Sequence, residues 1–164
     1  MAIFDNELRG IGGWLAFFLV TLGIVTPLTS LFSVGALAAD PAAAAGYGEN
    51  WNTLLAFEWA MAGLTAAAAW IAVWHFFKVK QRRTVRIAVL VLWAMAFIAL
   101  VAEPIGVAML AGITYGELFE QTPDGFIRPV VYSTIWTAYL LKSVRVANTY
   151  PAEGSAGEVV ETFS

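Results

Sequence analysis

Cysteine is absent from this 164-residue chain, so no disulfide framework, thiolate metal site or cysteine nucleophile can be built from it, and its redox compartment stays undetermined. Charge is scarce as well. Asp, Glu, Lys and Arg make up 13% of the residues, against about 25% in a typical globular protein. The one histidine, His75, has no second His, no Cys and no carboxylate at ligand spacing, which argues against a metal or a haem; no cofactor is expected. No Walker loop, Gly-x-Ser-x-Gly elbow, His-Glu-x-x-His pair or Rossmann fingerprint occurs, so no enzyme activity is expected either. A net charge of -3 opposes binding to nucleic acid.

What fills the chain instead is apolar. Hydrophobic residues reach 60% and the mean hydropathy is +0.73, more apolar surface than a soluble fold can hide. Four segments meet the requirement of about 20 residues to cross a hydrocarbon core: about Trp14 to Leu37, Leu54 to Phe77, Val85 to Ile113 and Phe126 to Val146. The fourth is diluted by Arg128, Pro129, Tyr132, Thr137 and Lys142. Backbone groups in lipid must be satisfied within the segment, and stretches such as Ala62 to Val73 do not alternate as barrel strands do, so helices are predicted. The fold class expected is all-α, an integral membrane bundle of four transmembrane helices over residues 1–150, followed by a short disordered tail over 151–164 rich in Gly, Ser and Glu. The first span is read as a retained anchor, being too long and too poor in preceding cations for a secretory signal.

Orientation follows from the basic residues, which accumulate on the cytoplasmic side of short loops. Lys78, Lys80, Arg82, Arg83 and Arg86 lie between spans two and three, Lys142 and Arg145 close span four, and Arg9 precedes span one. The other two connections hold Asp40, Glu49, Glu117, Glu120 and Asp124. Both termini are therefore predicted to be cytoplasmic, with Trp14 and the cations as anchors. Trp59, Trp70, Trp93 and Trp136 lie deeper and are expected to pack between helices. The segment Ala38 to Asn50 reads as a loop, and Gln121-Thr122-Pro123-Asp124-Gly125 as a turn.

Gly10-Ile11-Gly12-Gly13-Trp14-Leu15, the basic stretch from Phe76 to Arg83, and Ile127-Arg128, Val131-Tyr132, Ile135-Trp136, Tyr139-Leu140, Ser143, Arg145-Val146 and Thr149-Tyr150 together resemble the bacterial membrane proteins catalogued as domain of unknown function 2569. The likeness covers nearly the whole chain in layout, with its specific motifs at the ends. Ala138 stands where that family commonly has Pro, and the closing Thr149-Tyr150 where Thr-Phe is usual. The resemblance implies a small bacterial inner (cytoplasmic) membrane protein of four spans with cytoplasmic termini and supplies no activity.

Ionisable residues inside the spans are the functional candidates, because each costs roughly 2.5–3.5 kcal/mol at the bilayer centre even on the forgiving insertion scale. Glu58, Glu103 and Arg128 each lie about 17 to 19 residues from the basic end of their helix (Glu58 to Phe77, Arg86 to Glu103, Arg128 to Arg145), roughly 25–29 Å along the axis. They share one level near the outer interface, where an Arg128 ion pair with Glu103, Glu58 or both becomes possible, as a packing clamp or as a ligand, proton or ion site. Pro104 is expected to kink span three and free a carbonyl beside Glu103. Arg128, Tyr132, Trp136, Tyr139 and Ser143 recur at spacings of four, four, three and four, one stripe of a helix. In span two, Gly63 with Ala67 and Ala62 with Ala66 form small-xxx-small pairs suited to close helix contact, within the chain or with another subunit.

Two functions fit these features. The first is a structural or accessory subunit that modulates a larger membrane complex, with the bilayer and a membrane-protein partner or homo-oligomer as its surroundings. The alternative is a small oligomeric transporter or proton-linked carrier working through the Glu58, Glu103 and Arg128 cluster.

Overall fold

The computed structural model describes residues 9–121 and 123–151. Residues 152–164, most of the expected tail, and Thr122 in the expected turn lie outside that set. Every regular element among the described residues is helical. The first rod, Trp14–Ala38, runs through α1 (Trp14–Val20), a π turn (Thr21–Val25) and α2 (Thr26–Ala38). The second, Pro41–Lys78, contains α3 (Pro41–Tyr47), a short 3-10 turn and α4 (Trp51–Lys78). The third, Arg82–Ala111, repeats the first in design: α5 (Arg82–Phe97), a π turn (Ile98–Ala102) and α6 (Glu103–Ala111). After α7 (Tyr115–Gln121) comes the fourth rod, α8 (Pro123–Lys142), and then α9 (Val144–Thr149).

Rods one to three are long and apolar enough to cross a membrane. Their outward faces agree with that solvent, since Phe32, Met109 and Leu90 are 78%, 78% and 69% exposed. Rod one packs on rod two, two on three, and three on α8. Rings close the circle, with Phe18 of α1 4.8 Å from Trp136 of α8. The core sits toward the basic end, around Leu15, Phe18, Leu22, Ala69, Phe76, Val85, Leu92 and Leu140.

Three segments depart from the sequence reading. Ala38 to Asn50 is largely helical rather than a loop: Asp40 accepts the Ala42 amide at 2.8 Å, Pro41 opens the helix, and four alanines propagate it. Pro123-Asp124-Gly125 belongs to α8, with Pro123 at its first position, where a missing N–H costs nothing. The fourth segment ends at Lys142 rather than Val146, because Ser143 turns to extended backbone and its hydroxyl accepts the Val146 amide. Of the deeper tryptophans only Trp136 is core; Trp59, Trp70 and Trp93 stand 45%, 57% and 43% exposed on the outer surface.

The two ends of the chain meet at the basic end. Gly10 donates its amide to Thr149 Oγ1 at 2.9 Å, and Arg82 donates its amide to the Pro151 carbonyl at 3.0 Å. Helix α4 terminates there, leaving Phe76 O among its unpaired carbonyls. Tyr150, fully buried, donates its hydroxyl to that oxygen at 2.7 Å, and Lys80 donates its ammonium to it at 3.1 Å while lying 5.1 Å over the Tyr150 ring. Arg145 lies across Gly12 so closely that a Cβ there would sit 3.0 Å from its guanidinium.

Candidate functional site

The residues of the expected intramembrane cluster line a set of adjoining cavities between the rods. Glu103, on the first turn of α6, has Pro104 as its neighbour. Proline supplies no amide to the carbonyl four residues back, Leu100 O. The π turn Ile98–Ala102 absorbs the mismatch, and the Tyr115 hydroxyl donates to Leu100 O at 2.6 Å. The freed carbonyl expected beside Glu103 is thus present and is taken by an aromatic donor. Widening of the helix here leaves room at the Glu103 side chain.

Glu103 borders three cavities. One, about 330 Å³, reaches inward past Met95 and Ala96 to Tyr132 and Ser133 and has Arg128 and Thr26 on its wall. A second, about 210 Å³, runs between rods one and two to Glu58, past Thr29, Ser30 and Ser33. A third, about 230 Å³, lies under α7 against Leu118 and Phe126. Ser30, Thr65 and Glu103 are common to the first two, so those cavities adjoin.

Glu58 and Glu103 are both half-buried and close enough for their charges to act on each other. Among the described residues neither carboxylate accepts a hydrogen bond or closes an ion pair, and no fully buried polar side-chain atom lacks a partner. Their oxygens therefore face the cavities rather than protein donors. Arg128, itself exposed, and Glu103 share the wall of the first cavity, and Glu103 closes no ion pair among the described residues. Two carboxylates sharing a partly desolvated compartment are costly to keep charged together, and a proton or a cationic group beside them relieves that cost.

The hydroxyls on the cavity walls escaped the sequence reading. Thr26, Thr29, Ser30 and Ser33 recur along one face of α2, and only their three- and four-residue spacing inside an apolar helix could have pointed to it. Thr26 and Thr29 donate to backbone carbonyls of their own helix, at 2.9 Å each. Ser30, Ser33 and Thr65 have no such bond among the described residues.

The helical stripe divides by depth. Tyr132 reaches the first cavity, its hydroxyl 3.3 Å from Thr21 Oγ1. Trp136 and Tyr139 pack against each other at 5.7 Å in the core seam, and Ser143 caps α9. His75 sets its Nδ1 2.8 Å from the Ile71 carbonyl, and no group of three metal-binding side chains forms among the described residues. Of the anchoring residues, Trp14, Lys78, Arg83, Arg86 and Lys142 are exposed, whereas Lys80 and Arg145 are tied into the junction of the chain ends.

The motifs at that junction extend over the region where the family likeness holds. No curated protein and no solved structure matches the chain. A family model described as protein of unknown function (DUF2569) matches residues 8–151. From Gly10 to the buried Tyr150, the segments that knit the bundle all lie within that match, and the chain belongs to the DUF2569 family.

Proposed function

We propose that this is a four-span inner-membrane protein with both termini in the cytoplasm, and that it carries a small solute bearing a cationic group in a proton-linked cycle. The topology rests on charge: eight of the nine Lys and Arg residues gather at one end of the rods, and α8, at 20 residues, is long enough to serve as the fourth span. The observation that carries the activity is Glu103, an unpaired carboxylate on the walls of three cavities at once. A carboxylate in that position can exchange a proton for a cationic group, with Glu58 sharing the second compartment and Arg128 restricting the first. Four spans are few for an alternating-access monomer, so the carrier works as an oligomer.

Proton release from proteoliposomes loaded with a pH-sensitive dye, driven by small amines and amino acids added outside, tests this reading, since the carboxylate takes up the cationic group only by giving up its proton. Glu103→Gln is expected to abolish the solute-dependent flux, and Glu58→Gln to reduce it, with both variants folded. Solute-dependent flux that survives Glu103→Gln overturns it.

A second reading, an accessory subunit, draws on one further observation. The paired small residues split between two faces of α4: Ala62 and Ala66 are buried within the chain, whereas Gly63 and Ala67 point outward, with open space above Gly63. Purification in mild detergent should then recover a stoichiometric partner, and a homogeneous monomer would remove this reading.

A further inference from the structure

Rods one and three contain the same local device at the same internal spacing. A five-residue π turn begins at Thr21 in one and Ile98 in the other, and a buried proline follows six positions later, Pro27 and Pro104. Both features are displaced by 77 residues (98 − 21 and 104 − 27). The two rods run in the same direction, each leaving the basic end, so this is a direct repeat. It is invisible in the residue types, TLGIVTP against IALVAEP, and emerges only from the backbone.

Each proline leaves the carbonyl four residues earlier without its helical donor. Those carbonyls are Gly23 O and Leu100 O, and each is taken by an aromatic side chain from outside its own rod. Trp70 on rod two donates Nε1–H to Gly23 O at 2.9 Å, and Tyr115 on α7 donates its hydroxyl to Leu100 O at 2.6 Å. Between the two devices lies the largest of the three cavities that Glu103 borders, lined by Thr26, Ser30, Ile98, Ala99 and Glu103 from the π turns and the helical turns that follow them.

We propose that the two π–proline elements are a matched pair of hinges, and that Trp70 and Tyr115 are the latches holding both rods in the closed, bent form around the cavity. Proline and π turns are the usual places where long helices bend, because the backbone ladder is already interrupted there. In lipid no water replaces a lost donor, so a latch that lets go exposes a bare carbonyl to hydrocarbon or to the cavity. That makes each rod two-state rather than continuously flexible. Opening moves the segments beyond the hinges, α2 and α6, and leaves the basic end, fixed by the Tyr150 and Arg82 contacts, in position. The hinge is read from the backbone and does not depend on what the cavity binds.

The absence of cysteine makes spin-label distances a clean test. One label pair, Phe32→Cys with Met109→Cys, reports beyond the hinges; a second, Phe17→Cys with Leu90→Cys, reports on the basic side, all four positions being exposed. In lipid nanodiscs without ligand, Trp70→Phe or Tyr115→Phe is expected to raise the minor, longer Phe32–Met109 population about threefold each, and about tenfold together, the size of a typical hydrogen bond between membrane helices. The Phe17–Leu90 distances should not change. Pro104→Ala, which supplies an amide to Leu100 O and removes the hinge in rod three, should leave the Phe32–Met109 distribution insensitive to Tyr115→Phe. An unchanged Phe32–Met109 distribution in the double latch variant overturns the hinge, as does equal broadening of the Phe17–Leu90 pair or a Tyr115→Phe response that persists in Pro104→Ala. A response to one latch alone overturns the pairing.

Discussion

Tyr150 combines full burial with a hydroxyl that has one available acceptor, Phe76 O, and its removal from water pushes its pKa up from 10.0 to about 12. The sign of the resulting pH dependence is fixed. Unfolded chains lose the phenol proton near pH 10 while the folded state keeps it, so the stabilisation is complete below pH 10 and is lost as pH rises toward 12. Thermal unfolding in detergent should show that loss over this interval in the native chain and not in Tyr150→Phe. At neutral pH the same variant, which also leaves Phe76 O with Lys80 alone, is expected to be less stable by about 0.5–1.5 kcal/mol. At the opposite end of the bundle, Glu117 accepts the Thr114 amide and hydroxyl at 2.7 and 2.9 Å, and these bonds hold its carboxyl below the usual 4.5. A lowered carboxylate stabilises α7 above its unfolded pKa, and that contribution disappears as pH falls through the folded value. Protection of the Tyr115–Gln121 amides, taken relative to their intrinsic exchange rates, should therefore fall on acidification below 4.5; Glu117→Gln should remove the dependence, whereas Thr114→Ala, which keeps the amide donor, should only weaken it.

Elements were legible where composition alone decides them, as the three long apolar rods show, and illegible where one contact decides. Asp40 with Pro41 is a helix start written in plain residue types, yet its polar and small composition also describes a loop. Glu58 and Glu103 could be set at one level by counting residues, because a helix rises by a fixed step. Their shared compartment depends on how rods one, two and three are rotated, which no residue count supplies. The crossing of α4 and α6 is another such contact. Gly106 faces Phe57, and a Cβ on it would run into the Phe57 ring. Gly106→Ala must displace that ring from its packed position, at a cost of about 1–3 kcal/mol in unfolding free energy. Phe57→Leu added to it should recover part of the loss in a double-mutant cycle, whereas additive costs would mean that the two residues do not meet.

At the scale of the whole molecule, the bundle is knit at one end and hollow toward the other. The basic end holds both chain ends, the buried Tyr150 and the larger part of the apolar core, while the cavities around Glu103 lie beyond it. This polarity matches the charge asymmetry, since all the Lys and Arg residues except Arg128 fall at the knit end and the acidic connections at the hollow one. If the rods cross the membrane with the knit end inward, a cysteine introduced at Arg83 and one at Ala45 must report opposite sides, and both positions are exposed. A membrane-impermeant maleimide added to intact cells is expected to label Ala45→Cys and to spare Arg83→Cys until the membrane is broken, with no background because the chain has no other thiol. Labelling of Arg83→Cys in intact cells would invert the molecule, and labelling of both from outside would remove the second span. The test reaches the carrier reading as well: only with α4 spanning do Glu58 and Glu103 lie in the outer half of the bilayer, where a shared cavity can meet solute from outside.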